Sequence, residues 1–408
     1  MPMPPSTSGA PAALPATLLA LALSLGAAVS LGITRFAYGL LLPTMREDLG
    51  WSYALAGAMN TANALGYLLG ALATPWLLRR QGPEPVLLGG AVLASVFMAC
   101  SGFFTEAAPL LVQRLLAGAA SALVFIAGGL MAARLGALQP GRSGWLLGLY
   151  YGGTGWGIAL SAWLVPEALR QAVHEAHAWR WAWWALAAVS LLASAVLWWP
   201  ARRLADLLPP ATVGGVGQRF DPRPLWPALA GYTAFGVGYI GYMTFVVALL
   251  REQGVPPERI TLFYALLGVA VLASARLWAG LLERARGGGA LAFLNALLGL
   301  AALLPALSDW WPALLLSGLM FGGVFLSVVA STTALVRHNL PPARWAAGIS
   351  AFTIVFAVGQ IVGPTAVGWI ADGAGGLVRG LVFSSLALWM GALLAWRQRP
   401  LAMDRGKA

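Results

Sequence analysis

Three arginines lie inside long apolar stretches and are the residues of this sequence best suited to bind a charged ligand. Arg35, Arg114 and Arg276 each lie in a stretch whose residues are mostly apolar. A guanidinium stays charged and presents a planar fork of donors that matches the paired oxygens of a carboxylate or phosphate. If these stretches cross a bilayer, each charge costs about 2.5–3.5 kcal/mol and tends to face an interior cavity. The pattern predicts an anion site.

Polar residues also recur at helical spacing near these arginines. Asn60, Asn63 and Tyr67 follow intervals of three and four and so share one helix face, and Tyr232, Tyr239 and Tyr242 form a second stripe. Such stripes either line a substrate cavity or join helices by hydrogen bonds in lipid. The residues predicted to contact substrate are Arg35, Tyr38, Asn60, Asn63, Tyr67, Arg114, Tyr151, Tyr239, Tyr242 and Gln360.

A second group, near the predicted helix ends, is assigned to gating or coupling. Arg276 and Glu283 are seven residues apart, two turns along one helix face, and Arg276 either extends its charge towards the interface or contacts an inner gate. The full group is Arg79, Arg80, Arg276, Glu283, Arg284 and Asp372. No Asp or Glu falls near the middle of an apolar stretch. Coupling to protons would therefore use the charge of the substrate or a boundary carboxylate such as Glu47, Asp48 or Asp372.

Other classes of chemistry find little support. Cys100 is the only cysteine, and His174, His177 and His338 fall in predicted loops, so we expect no disulfide, no metal site and no cofactor. No nucleophile with a partner base and no phosphate-binding loop occurs, so no enzyme is predicted. The net charge of +11 comes from arginines scattered over short loops, which indicates membrane topology and not a nucleic-acid partner.

Composition supplies the elements that position these residues. The 408 residues are 59% apolar and only 10% charged, with a mean hydropathy of +0.77, far from a soluble domain. A bilayer span needs about 20 apolar residues. Twelve stretches qualify: 16–42, 53–78, 85–104, 108–134, 143–165, 179–199, 225–250, 259–282, 288–307, 311–336, 345–371 and 376–397. We predict an all-α integral membrane protein.

Loop charges and one long break organise these spans. Residues 201–224 are rich in Pro, Gly and Arg and are predicted to form a cytoplasmic linker. This linker separates a bundle of six helices over 1–200 from a second bundle over 225–408. With both termini in the cytoplasm, sixteen basic residues face inwards and six outwards, as the positive-inside rule requires. We expect a monomeric, multi-pass protein of the bacterial inner membrane. Paired bundles around a midplane site are typical of alternating-access transporters.

Several motifs resemble the YbfB/YjiJ-like branch of the major facilitator superfamily. They are Gly32 to Gly39, the run from Ala56-Gly57 to Gly70, Arg114 with Gly118, Trp179 to Trp183, and Gly359 to Asp372. The resemblance implies two pseudo-symmetric six-helix bundles and a cavity lined by helices 1 and 4, which Arg35 and Arg114 could both face. It also implies an alternative for Arg114, which could bind backbone carbonyls of helices 1 and 2.

The leading hypothesis is transport of a small organic solute, such as an organic anion, by alternating access. Efflux of hydrophobic compounds is the alternative, because aromatic residues make up 11% of the chain and its ten methionines could line an adaptable cavity. A membrane receptor or enzyme is a remote third possibility, since the loops are too short to fold a signalling or catalytic domain.

Overall fold

The computed structural model describes residues 16–207, 221–341 and 344–401, which form twelve long helices. In chain order these are α1 (Ala16–Leu49), α2 (Tyr53–Gln81), α3 (Pro83–Ser101), α4 (Ala107–Ala137), α5 (Ser143–Gln171), α6 (Trp179–Leu207), α7 (Trp226–Glu252), α8 (Pro257–Leu277), α9 (Gly289–Leu307), α10 (Trp311–Asn339), α11 (Trp345–Ala371) and α12 (Gly376–Trp396). The prediction of an all-α membrane protein is confirmed. We call α1–α6 the first half and α7–α12 the second half.

Ten of these helices are long and apolar enough to cross a membrane. The other two, α2 and α5, carry more polar and small residues, among them Asn60 and Asn63 on α2 and a series of glycines on α5. Each of them packs against a helix of the opposite half. Part of their surface therefore faces protein, which lowers the need for apolar side chains.

Two predicted boundaries differ from the structure. α6 runs through Pro200 to Leu207, because residues 201–207 are mostly good helix formers; the predicted linker therefore starts with helix, and its residues 208–220 lie outside the described chain. α8 ends at Leu277 and a short helix, Ala279–Arg284, follows. The indole of Trp278 donates to the Gly323 carbonyl at 2.7 Å and fixes the chain at this break.

The halves meet along two antiparallel helix pairs, α2 with α11 and α5 with α8. A Cβ at Gly57 would overlap the Pro364 carbonyl, and a Cβ at Gly155 would overlap the Gly268 carbonyl. Small residues let helices approach closely in lipid. The two pairs are equivalent under exchange of the halves, since α2 corresponds to α8 and α5 to α11. The glycine contacts therefore flank the centre of the molecule.

The two ends of the bundle are named by the residues that lie there. The 50–52 end carries the turn between α1 and α2, and the opposite end, where residues 16 and 396 lie, is the termini end. Helices of odd number in the first half run towards the 50–52 end, and those of even number run away from it.

Candidate functional site

Helix α1 changes form where Arg35 lies. Residues Ala28–Phe36 are a π-helix, and a turn at Ala37 separates them from the next α-helical segment. The Thr34 hydroxyl donates to the Val29 carbonyl, five residues back, at 2.6 Å. Single π turns inside helices are frequent at functional sites because they redirect side chains. Arg35 occupies the last turn of this segment.

Side chains from both halves satisfy the carbonyls that the break frees. Arg114 Nη1 donates to the Thr34 carbonyl at 2.8 Å, and the Tyr264 hydroxyl donates to the Phe36 carbonyl at 2.8 Å. Backbone groups inside a membrane must find protein partners, since no lipid group can replace them. The break in α1 therefore depends on α4 of its own half and on α8 of the other.

Arg114 is committed to this framework. Its Nη2 donates to Asn60 Oδ1 at 3.0 Å, and its backbone carbonyl accepts from Asn63 Nδ2 at 3.1 Å. The guanidinium lies over the rings of Tyr38 and Trp183. Arg114 therefore joins α1, α2 and α4. This agrees with the structural alternative given above for α1, where the acceptor is a backbone carbonyl, but on α2 the acceptor is the Asn60 side chain.

Arg35 is equally buried but has no such partners. Only 2% of it is exposed, and its Nε and Nη2 have no hydrogen-bond partner among the described residues. Its guanidinium carbon lies 5.7 Å from the ring centre of Tyr67, and it interacts electrostatically with Tyr67 and Tyr239. An unpaired buried charge costs several kcal/mol. Such a group is suited to a ligand that supplies the missing acceptors.

Hydroxyl and amide groups surround Arg35 from four other helices. Gln360 Nε2 on α11 donates to the Tyr239 hydroxyl on α7. Because that oxygen already accepts a hydrogen bond, its own proton is free for a further acceptor. Tyr67 on α2 lies close to Tyr151 on α5, and both residues are partly exposed. The structure thus brings Arg35, Tyr67, Tyr151, Tyr239 and Gln360 to one place.

The other residues predicted to line the cavity make interhelical contacts instead. The Tyr38 hydroxyl donates to the Ala56 carbonyl at 2.8 Å, and the Tyr242 hydroxyl pairs with Ser317 at 2.7 Å. Asn60 Nδ2 donates to the Thr244 hydroxyl at 2.8 Å. The polar atoms of Tyr38, Asn60 and Tyr242 thus bind other helices, as do the amide nitrogen of Asn63 and the terminal nitrogens of Arg114. Direct substrate contact by these five residues stays a prediction.

The predicted gating residues at the termini end do not form one cluster. Arg276 lies in the last turn of α8, with its guanidinium carbon 3.9 Å from the ring centre of Trp145 on α5. Glu283 belongs to the separate short helix after the break at Trp278, so the prediction of one shared face with Arg276 is wrong. The side chains of Arg79, Arg80, Glu283 and Arg284 are exposed.

A carboxylate from the second half caps α2 at the 50–52 end. Asp372 accepts the Tyr53 amide at 2.6 Å through Oδ1 and the Ala54 amide at 2.9 Å through Oδ2. A negative charge is favourable at a helix N-terminus, where the amides have no helical partner. The Tyr53 hydroxyl also donates to Glu252 on α7, and Arg46 lies over the Tyr53 ring at 3.7 Å.

Further contacts close this end of the molecule. Arg251 Nη1 donates to Thr44 Oγ1 at 3.1 Å, and the Thr61 hydroxyl donates to the Ile361 carbonyl at 2.7 Å. A small cavity of about 120 Å³ remains, lined by Pro43, Arg46, Glu47, Tyr53, Ala248, Arg251 and Glu252. Hydrogen bonds from residues 36–61 of the first half thus hold the two halves together on the 50–52 side of Arg35.

Sequence reasoning missed most of this closed end. Asp372 is among the predicted gating residues, but Tyr53, Glu252, Arg251 and Thr44 are not. They lie near helix ends without a pattern that distinguishes them from surface residues. Of the other boundary carboxylates, Asp48 pairs with His177 and Trp179 inside the first half, and Glu47 lines the small cavity.

Comparison with solved structures identifies the architecture. The chain is similar to a bacterial homologue of the human lysosomal transporter Spinster in an inward-facing and occupied conformation (15% identity, 93% and 96% of the two chains covered, TM-score 0.69). It is also similar to the nucleoside transporter NupG (13%, 94% and 98%, 0.69) and to FucP in the outward conformation (13%, 94% and 99%, 0.59). At these identities the likeness shows the fold, which is that of major facilitator transporters.

The particular family follows from the sequence. Residues 27–396 match the family described as "Uncharacterised MFS-type transporter YbfB", and the chain belongs to that family. No curated protein matches it. The protein is therefore a secondary active transporter of the major facilitator superfamily, embedded in a membrane, with a small-molecule substrate and no enzymatic role. These findings confirm the predicted class and resemblance.

Proposed function

We propose that the transported solute is a small organic anion and that Arg35 binds its charged group. The observation that carries the proposal is the contrast between two buried arginines of the same half. The terminal nitrogens of Arg114 donate hydrogen bonds to Thr34 and Asn60, whereas Arg35 Nε and Nη2 have no hydrogen-bond partner among the described residues. A carboxylate supplies two acceptors in the geometry of a guanidinium fork.

The groups beside Arg35 support an acceptor-rich ligand. Arg35 offers only donors, and the Tyr239 hydroxyl has accepted the Gln360 amide and keeps its proton for donation. The hydroxyls of Tyr67 and Tyr151 are further donors beside Arg35. A cationic amphiphile would meet like charge here and a neutral hydrocarbon would leave the donors unpaired, so both are disfavoured relative to an anion.

The orientation in the membrane follows from the loop charges. Both termini and the linker 201–224 lie in the cytoplasm, and the 50–52 end faces the periplasm of a bacterial inner membrane. The bundles comprise residues 1–200 and 225–408. The protein acts as a monomer without a nucleic-acid partner. In this orientation the contacts of Asp372, Tyr53 and Glu252 close the outer side.

The remaining charged residues are assigned to the cytoplasmic side. Arg79, Arg80, Glu283 and Arg284 are exposed there and are available to form contacts when that side closes. Arg276 already joins the halves by its stacking on Trp145, so its proposed role is at the α5–α8 hinge. Asp372 is the proposed outer gate because it links α11 to the first turn of α2.

Uptake measurements test the proposed substrate class. Purified protein in proteoliposomes is assayed with labelled organic acids, amino acids, sugars and hydrophobic drugs. We expect one or more organic acids to be transported and Arg35→Gln to abolish that transport. Arg203→Gln, which removes an exposed arginine at the cytoplasmic end, is the matched control. Transport of neutral or cationic compounds alone, unchanged by Arg35→Gln, would contradict the proposal.

A further inference from the structure

A group of nearly parallel aromatic rings lies next to Arg35, on the side of the second half. The Tyr239 ring stacks on Phe235 at 4.9 Å, on Phe356 at 5.5 Å and on Phe325 at 6.0 Å, with interplanar angles of 20°, 20° and 8°. Tyr232 stacks on Phe356 at 4.9 Å and 21°. We call these five rings, from α7, α10 and α11, the aromatic wall.

Tyr239 belongs to both the aromatic wall and the anion site. Its hydroxyl accepts the Gln360 amide and lies in the field of Arg35, while its ring belongs to the wall. Phe36, the residue after Arg35, meets Phe325 edge-on with the ring centres 5.8 Å apart. A ligand that places a carboxylate on Arg35 therefore has aromatic rings within reach of its organic part.

One member of the wall is only partly covered by protein. Phe356 is partly exposed, whereas Tyr239, Phe235 and Phe325 are buried. Phe356 lies one helical turn before Gln360, on the same face of α11. Its ring is already part of a group of nearly parallel rings. A ligand that packs on the exposed part of Phe356 is favoured if it is itself a flat π-system, since aromatic pairs gain stability beyond their buried area.

We infer that the substrate is an aromatic or similarly planar carboxylate, whose carboxylate binds Arg35 and whose ring packs on the aromatic wall beside Phe356. The inference rests on the proposed anion site and specifies the ligand that this site takes. It requires two features in one molecule, a negative charge and a flat apolar body. A short aliphatic acid supplies the first only, and a neutral arene supplies the second only.

Matched ligands separate these two features. The wild-type protein is titrated with benzoate, with cyclohexanecarboxylate, which has the same charge and a similar size but no π-system, and with neutral benzyl alcohol. Binding is followed by thermal shift and by competition in proteoliposome uptake. We expect benzoate to bind about three- to ten-fold more tightly than cyclohexanecarboxylate, and benzyl alcohol to have no effect at the same concentrations.

Variants locate the effect. Phe356→Leu should bring the ratio of the benzoate and cyclohexanecarboxylate affinities close to one while the affinity for cyclohexanecarboxylate changes little. Phe293→Leu is the matched control, because Phe293 is 46% exposed on α9 and lies outside the aromatic wall. Arg35→Gln should abolish binding of both acids.

The outcomes distinguish this inference from the anion proposal. Equal binding of benzoate and cyclohexanecarboxylate by the wild-type protein, with both lost in Arg35→Gln, would overturn the aromatic inference and leave the anion site intact. Benzyl alcohol binding as tightly as benzoate would overturn both. If Phe356→Leu does not fold, the wild-type affinities alone still decide between an aromatic and an aliphatic ligand.

Discussion

Arg114 holds the peptide carbonyl that immediately precedes Arg35. Its Nη1 donates to the Thr34 carbonyl at 2.8 Å, so the arginine of α4 fixes the last π turn of α1 while the arginine of α1 keeps Nε and Nη2 unpaired. Both side chains are 2% exposed. One buried charge is thus a positioning residue, and the charge it positions is available to a ligand.

Replacing each arginine by leucine should separate these roles. Arg114→Leu leaves the Thr34 carbonyl and Asn60 Oδ1 without their donor, and each unpaired buried acceptor costs about 1–3 kcal/mol. We expect a loss of about 2–4 kcal/mol. Arg35→Leu removes an unpaired buried charge, so its melting temperature should equal or exceed that of the wild type although transport is lost. Thermal unfolding in detergent without ligand measures both variants. Equal destabilisation by the two substitutions would show that Arg35 is also structural.

Alanine at Gly57 tests the close approach of the two halves. A Cβ there would overlap the Pro364 carbonyl, and because both positions are backbone, α2 and α11 must move apart at the 50–52 end. We expect a larger distance between spin labels placed on these helices. Gly89→Ala is the control, since a Cβ at that position meets no atom within 4 Å; it should leave the distance unchanged and stabilise α3 by up to about 1 kcal/mol.

Much of the fold could be predicted because bilayer thickness sets the length of each apolar stretch. All twelve predicted spans correspond to helices, and charges and prolines placed the turns within a few residues in most cases. The exceptions depend on contacts that neither apolar length nor charge pattern indicates. The end of α8 depends on Trp278 and a carbonyl of α10, 45 residues away, which periodicity cannot reveal.

The site was only partly predictable, because residue type does not show which polar groups are already paired. Arg35 and Arg114 look alike in the sequence, and their difference arises from partners on other helices. No proline in the sequence marks the π-helix in α1. Its free carbonyls accept hydrogen bonds from Arg114 and Tyr264, which lie on other helices. Tyr239 and Tyr242 share a helix, yet only Tyr239 lies near Arg35.

Removing the charge of Asp372 should weaken the closure at the 50–52 end. The carboxylate accepts the amides of Tyr53 and Ala54, and a charge at a helix N-terminus contributes up to about 1 kcal/mol. Asp372→Asn should therefore raise the ratio of open to closed molecules at this end roughly five-fold.

Thiol accessibility measures this ratio. With Cys100 replaced by serine, a single cysteine at the buried position of Ala248 reports opening through its reaction with a membrane-impermeant maleimide. Labelling should be faster in Asp372→Asn. The control Asp309→Asn removes an exposed carboxylate from the α9–α10 turn at the same end and should leave the rate unchanged. Equal rates in all three proteins would exclude Asp372 as a gate.

Two tyrosines on α7 offer the most direct comparison of site and scaffold. Tyr239 accepts the Gln360 amide beside Arg35, and Tyr242 pairs with Ser317 on α10. Tyr239→Phe removes a donor to a charged ligand, and such hydrogen bonds are worth about 1.5–3 kcal/mol, so the affinity for benzoate should fall about ten-fold or more. Tyr242→Phe, the same change three residues away, should lower thermal stability and leave that affinity unaltered. If both variants lose benzoate affinity equally, Tyr239 acts through the packing of α7; a loss confined to Tyr239→Phe places its hydroxyl on the bound anion.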